Sequence, residues 1–247
     1  MNEFYVGYAP KMPAGLRVFV RKVVISFAAV AIAVAAVLLS GQMPFAKSTF
    51  EFGEARSLEG ILETTPYPTL LVDRPGDVGS NSKYSRYLLV APGKHGADLL
   101  LEGLNSKRVH LKGELIYRGG QTMIEVQPAS VQTLANTEPG PAQFHSLGKL
   151  TATGEIVDGK CYLGVMNPGM GKVHRDCASR CISGGIPPIF VTTAGDKFLL
   201  VDLEGEPFQR DALRKFIAEP ISVQGELLQR GDSKFLKIDL AEAQHGN

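Results

Sequence analysis

Val109–Val126 reads VHLKGELIYRGGQTMIEV, and Ile221–Ile238 reads ISVQGELLQRGDSKFLKI. At an offset of 112 residues, Gly113-Glu114-Leu115 stands over Gly225-Glu226-Leu227, and Arg118-Gly119 over Arg230-Gly231. Apolar positions follow the same register: Val109 with Ile221, Leu111 with Val223, Met123 with Phe235, Ile124 with Leu236. Upstream, RYLLV (Arg86–Val90) matches KFLLV (Lys197–Val201) at an offset of 111, and Gly60 in LEGILE corresponds to Gly154 in ATGEIV. Ordered agreement at a nearly constant offset is the mark of an internal duplication.

Each copy alternates apolar runs with turn residues, which predicts strands. In the first copy these are Leu58–Glu63, Thr69–Asp73, Tyr87–Ala91, Val109–Tyr117 and Thr122–Val126, with a short helix over Ala97–Leu104 before the fourth. In the second they are Thr151–Val157, Pro188–Thr193, Phe198–Leu203, Ile221–Leu228 and Lys234–Asp239, with a helix over Gln209–Ala218. Three strands, a helix and two strands is the order of the OB-fold, a five-stranded Greek-key barrel. A small SH3-like barrel competes, but the helix before strand four argues against it. Gly113 and Gly225 fall inside long strands, where a bend lets one strand serve both halves of a barrel. The reading is therefore mainly β, with two tandem OB-fold-like five-stranded barrels. The first covers residues 46–134, and ANTEPGPAQFHS at 135–146 is a Pro/Gly-rich linker. The second covers 147–247.

Ahead of the barrels, VVISFAAVAIAVAAVLL (Val23–Leu39) carries no charge and one polar residue, Ser26. Seventeen helical residues span about 25 Å, and flanking residues extend this toward the ~30 Å of a bilayer core. We take residues 23–42 as an uncleaved transmembrane anchor, because no small-x-small cleavage site follows it. A buried core helix and a cleaved signal peptide are the competing readings. Residues before 46 hold Lys11, Arg17, Arg21 and Lys22 against Glu3, a net of +3. The remainder holds 22 basic and 24 acidic residues, a net of −2. The basic flank predicts that residues 1–22 form a cytoplasmic tail, with Phe4, Tyr5 and Tyr8 at the headgroup level. The barrels then lie outside the inner membrane, in a periplasm if the host has one. That location and the slightly acidic balance argue against nucleic acid as a partner.

The two copies differ most between strands one and two. The first has TTPYP there; the second has CYLGVMNPGMGKVHRDCASRCISGG, residues 161–185. All three cysteines of the chain fall in this segment, as C-x12-H-x2-C-x3-C. His174, Cys177 and Cys181 lie at i, i+3 and i+7, on one face of a helix. Asp176 leads that helix and Gly184-Gly185 ends it, so it is short and needs external support.

Cys161, His174, Cys177 and Cys181 make a Cys3His set that suits a structural zinc ion. Thiolates also suit copper(I), to which Met166 and Met170 could add thioethers. Iron follows, and noncovalent haem on His174 or a cysteine comes last; covalent c-type haem lacks its C-x-x-C-H motif. Lys172 and Arg175 would lower thiolate pKa values, or serve as solvated surface charges. Asp158 is a carboxylate that could orient His174, or a residue of the VDGK turn. The competing reading is a disulfide between Cys161 and Cys177 or Cys181, which leaves one thiol over. No Ser-His-Asp set, P-loop, G-x-G-x-x-G or suggestive carboxylate pair occurs, so nothing supports enzymatic chemistry by the protein alone.

The stretch Gly154–Val191, with GEIVDGKC followed by HRDCASRCISGG, resembles a pattern in uncharacterised exported bacterial proteins with small OB-type domains. The resemblance covers about 40 residues. It implies that Cys161, His174, Cys177 and Cys181 are a shared set. A looser resemblance is to the haem chaperone of cytochrome c maturation, which combines an N-terminal anchor with one periplasmic OB-fold; its haem-binding histidine motif is not found here. Together these features lead to an expected role as an accessory or assembly subunit of a membrane redox system, binding a metal through the Cys3His site within a membrane protein complex. The alternative is a metal-free, disulfide-stabilised protein-binding module.

Overall fold

The computed structural model describes residues 11–41, 48–74, 83–136 and 143–246. The aromatic residues of the N-terminal tail and residues 137–142 of the expected linker lie outside them. The chain divides into two compact units, Met1–Phe45 and Ala46–Asn247.

The described part of the first unit is one helix, α1 (Ala14–Gly41). It starts after Pro13, whose carbonyl accepts the Arg17 N–H, consistent with proline at a helix start. Its 28 residues extend about 42 Å at 1.5 Å per residue. Its apolar side chains are exposed all round, among them Phe27, Ile32 and Leu39. By length and composition it suffices to cross a membrane.

The second unit holds two closed five-stranded barrels. The first is built from β1 (Arg56–Glu63), β2 (Thr69–Asp73), β3 (Tyr84–Ala91), β4 (Lys107–Arg118) and β5 (Gln121–Val126). The second is built from β6 (His145–Asp158), β7 (Pro188–Thr192), β8 (Lys197–Val201), β9 (Pro220–Arg230) and β10 (Ser233–Ile238). In both, strand one pairs with two and four, two with three, and four with five, all antiparallel. A parallel pairing of strands three and five closes each barrel. Leu88 faces Met123 in the first closure, and Leu199 faces Phe235 in the second. These are the positions that the sequence repeat equates.

Gly113 is the residue at which β4 passes from β1 to β5: it pairs with Arg56 on one side and Val126 on the other. Gly225 likewise pairs with Leu150 and Ile238. A Cβ on Gly113 would lie 2.3 Å from Ile124 Cγ2 and 2.7 Å from the Glu125 carbonyl oxygen. On Gly225 it would lie 2.4 Å from the Lys237 carbonyl oxygen and 2.7 Å from Ile238 Cγ2. Glycine is therefore required by the close approach of the neighbouring strand, twice, at equivalent places.

The segments expected to be helical before strand four are instead successive turns. Leu101 donates to the Ala97 carbonyl and Leu104 to Leu101. Ala212, Arg214 and Phe216 each donate three residues back. Gly103, at φ 72°, and Ser106, at φ 62°, reverse the chain in the first copy, as does Ala218, at φ 58°, in the second. A single turn closed this way leaves no room for helix propagation.

Each barrel has its own core. Leu62, Leu70, Leu89, Val109, Leu111 and Ile124 fill the first, and Ile156, Phe190, Leu200, Ile221, Val223 and Leu236 fill the second. A third cluster belongs to both. Val90, Ile116 and Met123 of the first barrel meet Val201, Leu228 and Phe235 of the second. These are equivalent residues of the two copies, so the barrels join through the same face of the repeat, as in an isologous dimer interface. Burying each such side chain contributes roughly 2 kcal/mol.

Candidate metal centre

β6 delivers Asp158 at its last position, and the chain then makes a turn over Cys161–Val165. A 3-10 turn at Lys172–His174 leads into α2 (Arg175–Ser183), whose buried residues are Ala178, Cys181 and Ile182. The helix ends in a Schellman pattern. Gly185, at φ 97°, donates to the Ile182 carbonyl, and Ile186 donates to that of Cys181 at 3.0 Å. Cys161, Tyr162, Leu163 and Cys181 belong to the core shared by the barrels. The insertion thus packs into the seam, and that packing supports its nine-residue helix.

The structure brings Cys161, Cys177 and Cys181 together: their sulfurs lie within 4.8 Å of one another. Cys161 and Cys181 are buried and Cys177 is half-buried. A second cluster, Asp158, Cys161 and His174, shares Cys161 with the first and also falls within 4.8 Å. His174 is buried, and its Nε2 lies 2.9 Å from Asp158 Oδ2. The other Asp158 oxygen accepts the Cys161 backbone N–H at 2.8 Å. Asp158 has no exposed surface; it ties the histidine and the first cysteine to one carboxylate. Carboxylate contact with one imidazole nitrogen is the arrangement that orients metal-binding histidines.

The cation at the thiols is neither Lys172 nor Arg175. Both turn to Glu219, Arg175 at 2.6 Å and Lys172 at 3.5 Å. Lys94, from the loop after β3 of the first barrel, takes that place. Its Nζ donates to Cys177 Sγ at 2.7 Å and Cys181 Sγ at 3.6 Å. Lys94 is separated from Cys177 by 83 residues, so no local pattern announces it; its only sequence mark is its place in the turn PGKHG.

Backbone contacts hold the lysine there. Gly96 N–H donates to the Gly184 carbonyl at 2.9 Å. A Cβ on Gly184 would come within 1.8 Å of the Lys94 carbonyl oxygen. Lys160, 3 % exposed, donates to the carbonyls of Ala91 at 3.0 Å and Gly93 at 2.7 Å and pairs with Glu125. The second barrel therefore grips the loop that carries Lys94.

Charge at the centre follows from these contacts. The Cys161 thiol, as donor to Cys181, and the nearby Lys94 ammonium lower Cys181 to about 7. The same hydrogen bond, together with burial, pushes Cys161 up. Hydrogen bonding to Cys177 raises Lys94. These contacts favour the thiolate at Cys181, the form in which sulfur ligates metals and reacts with oxidants.

Three sulfurs at this spacing could hold a metal ion, as could Asp158, Cys161 and His174. The expected Cys3His set is thus divided: His174 falls within 4.8 Å of Cys161 in the second group and is not in the group with Cys177 and Cys181. Comparison with protein-family models, with curated proteins and with solved structures finds no match to this chain.

Proposed function

We propose that this is a membrane-anchored protein that binds one thiophilic metal ion through Cys161, Cys177 and Cys181 at the seam of its two barrels. The observation that carries the reading is the convergence of three sulfurs within 4.8 Å. The three sulfurs would serve copper(I), which soft thiolate ligands favour. Zinc would need a fourth donor; His174, which shares a group with Cys161 and Asp158, would have to turn toward Cys177 and Cys181 to supply it. The apolar helix α1 and its basic flank support an inner-membrane anchor with the barrels on the extracytoplasmic side. A thiolate centre carried there suits an accessory or assembly subunit of a membrane redox complex, holding the ion for delivery, structure or electron transfer.

The test is elemental analysis of the full chain, purified in detergent without chelator, alongside free-thiol titration. About one equivalent of zinc or copper is expected, with three thiols that react only after chelation. A metal-free protein with one reactive thiol and a two-hydrogen mass deficit would replace this reading with that of a disulfide-stabilised binding module.

A further inference from the structure

Among the described residues, the Lys94 ammonium donates to two sulfurs and is paired with no carboxylate. Its distance to Cys177 Sγ, 2.7 Å, lies at the short limit of an N–H···O bond, although sulfur is larger than oxygen. Nitrogen and sulfur this close have the spacing of two atoms joined through one intervening atom. The two backbones are fixed relative to each other by the Gly96–Gly184 hydrogen bond and by Lys160. Cys177 is also the half-buried thiol of the three, whereas Cys181 is 1 % and Cys161 4 % exposed. An oxidant from solvent reaches Cys177 first.

We propose that Lys94 and Cys177 form a redox-controlled covalent bridge, Nζ–O–Sγ, that withdraws one sulfur from the metal centre. The inference rests on the proposed metal-binding reading for its consequence and states how that centre is switched off. Hydrogen peroxide is the oxidant. One equivalent converts the Cys177 thiol to sulfenic acid: the S–H bond breaks, an S–O bond forms, and water leaves. A second equivalent takes two electrons as an O–N bond forms between the sulfenic oxygen and Nζ. The ammonium first gives one proton to solvent; the sulfenic O–H and one N–H of the resulting amine are then lost, and two waters leave. Sulfur and nitrogen are each oxidised by two electrons, and two peroxides are reduced. A thiol reductant reverses the bridge to the free lysine and cysteine. Bridged, the centre keeps only Cys161 and Cys181, and the first barrel is covalently tied to α2.

The experiment uses the full chain in detergent, reduced, stripped of metal by a chelator, and exposed to hydrogen peroxide. Intact mass spectrometry should show a product heavier by one oxygen and lighter by two hydrogens. Proteolysis should yield a linked peptide pair containing Lys94 and Cys177, released by dithiothreitol. Uptake of copper(I) or zinc should fall in proportion to the bridged fraction and return on reduction. Lys94→Arg keeps the positive charge and should gain oxygen at Cys177 without losing hydrogens or forming the linked pair. Oxygen additions alone in the wild type, or only the two-hydrogen loss of a disulfide, would overturn the bridge. A bridge that leaves metal uptake unchanged would overturn the switch. Because the bridge is read in metal-free protein, reduced wild type that binds no metal would count against the metal reading alone.

Discussion

Arg118 and Arg230, equivalent residues of the two copies, each bind the other copy's connection between strands one and two. Arg118 Nη1 donates to the Tyr162 carbonyl at 2.9 Å, and Arg230 Nη1 donates to that of Thr65 at 2.7 Å. The guanidinium of Arg118 also lies 4.3 Å over the Tyr162 ring. The reciprocity places TTPYP and the cysteine insertion in equivalent positions. In the first copy this position joins the barrels; in the second it also carries the candidate centre.

Arg230→Met should destabilise both barrels together. Arg230 is 8 % exposed and lies 3.7 Å from Glu63, itself 7 % exposed. Its removal leaves a buried carboxylate and the Thr65 carbonyl with one partner fewer, a loss of about 3 kcal/mol. Thermal unfolding followed by circular dichroism should keep one transition at a lower midpoint. Two separated transitions would show that the shared core does not couple the barrels.

Gly113→Ala and Gly225→Ala should each cost roughly 2 kcal/mol or more, because the atoms facing the new methyl include backbone carbonyls that cannot turn away. Similar losses are expected at both sites. Chemical denaturation of the two variants checks this, and a neutral result at either would mean that its strand crossing is looser than the structure shows.

Asp158→Asn should lower zinc affinity by roughly tenfold to a hundredfold, because it removes the carboxylate charge that orients His174, while the amide oxygen can still accept the Cys161 N–H. Competition with a chromophoric chelator measures it. Unchanged affinity would assign Asp158 a purely structural role.

The reduced, metal-free protein should have a distinctive pH dependence. Cys181 titrates at about 7 when folded against an ordinary thiol value of 9.0. Between these values the unfolded chain binds the extra proton, so stability rises with pH. Above 9 the sign reverses, because Cys161, held above its ordinary value, keeps a proton that the unfolded chain has lost. Urea midpoints in the presence of chelator should therefore climb from pH 7 toward 9 and then fall. A steady decline across this range would contradict the assignment.

The barrels were legible because the duplication repeats alternation, turn residues and two constrained glycines in order. Thr69–Asp73 is a strand with the bounds its sequence suggests. The segment before strand four was not legible as turns, since Ala97–Leu104 has apolar spacing that a helix would also use, and only the backbone reversals at Gly103 and Ser106 distinguish the two. At the candidate centre, helical spacing brings Cys177 and Cys181 together, but His174 sits in the 3-10 turn before α2 rather than on its face and is grouped with Asp158 and Cys161. Lys94 and Lys160 act across the seam, and only the packing of equivalent barrel faces brings Lys94 to the sulfurs. Asp158 fills both roles that the VDGK turn left open: one oxygen contacts His174 and the other accepts the Cys161 N–H.

X-ray absorption of the metal-bound full chain tests the central claim most directly. Three sulfur scatterers around one ion are expected, with imidazole scattering added if the ion is zinc. Loss of one sulfur should follow in Cys161→Ser. A first shell of nitrogen and oxygen, or one with fewer than three sulfurs in the wild type, would contradict a centre built on Cys161, Cys177 and Cys181.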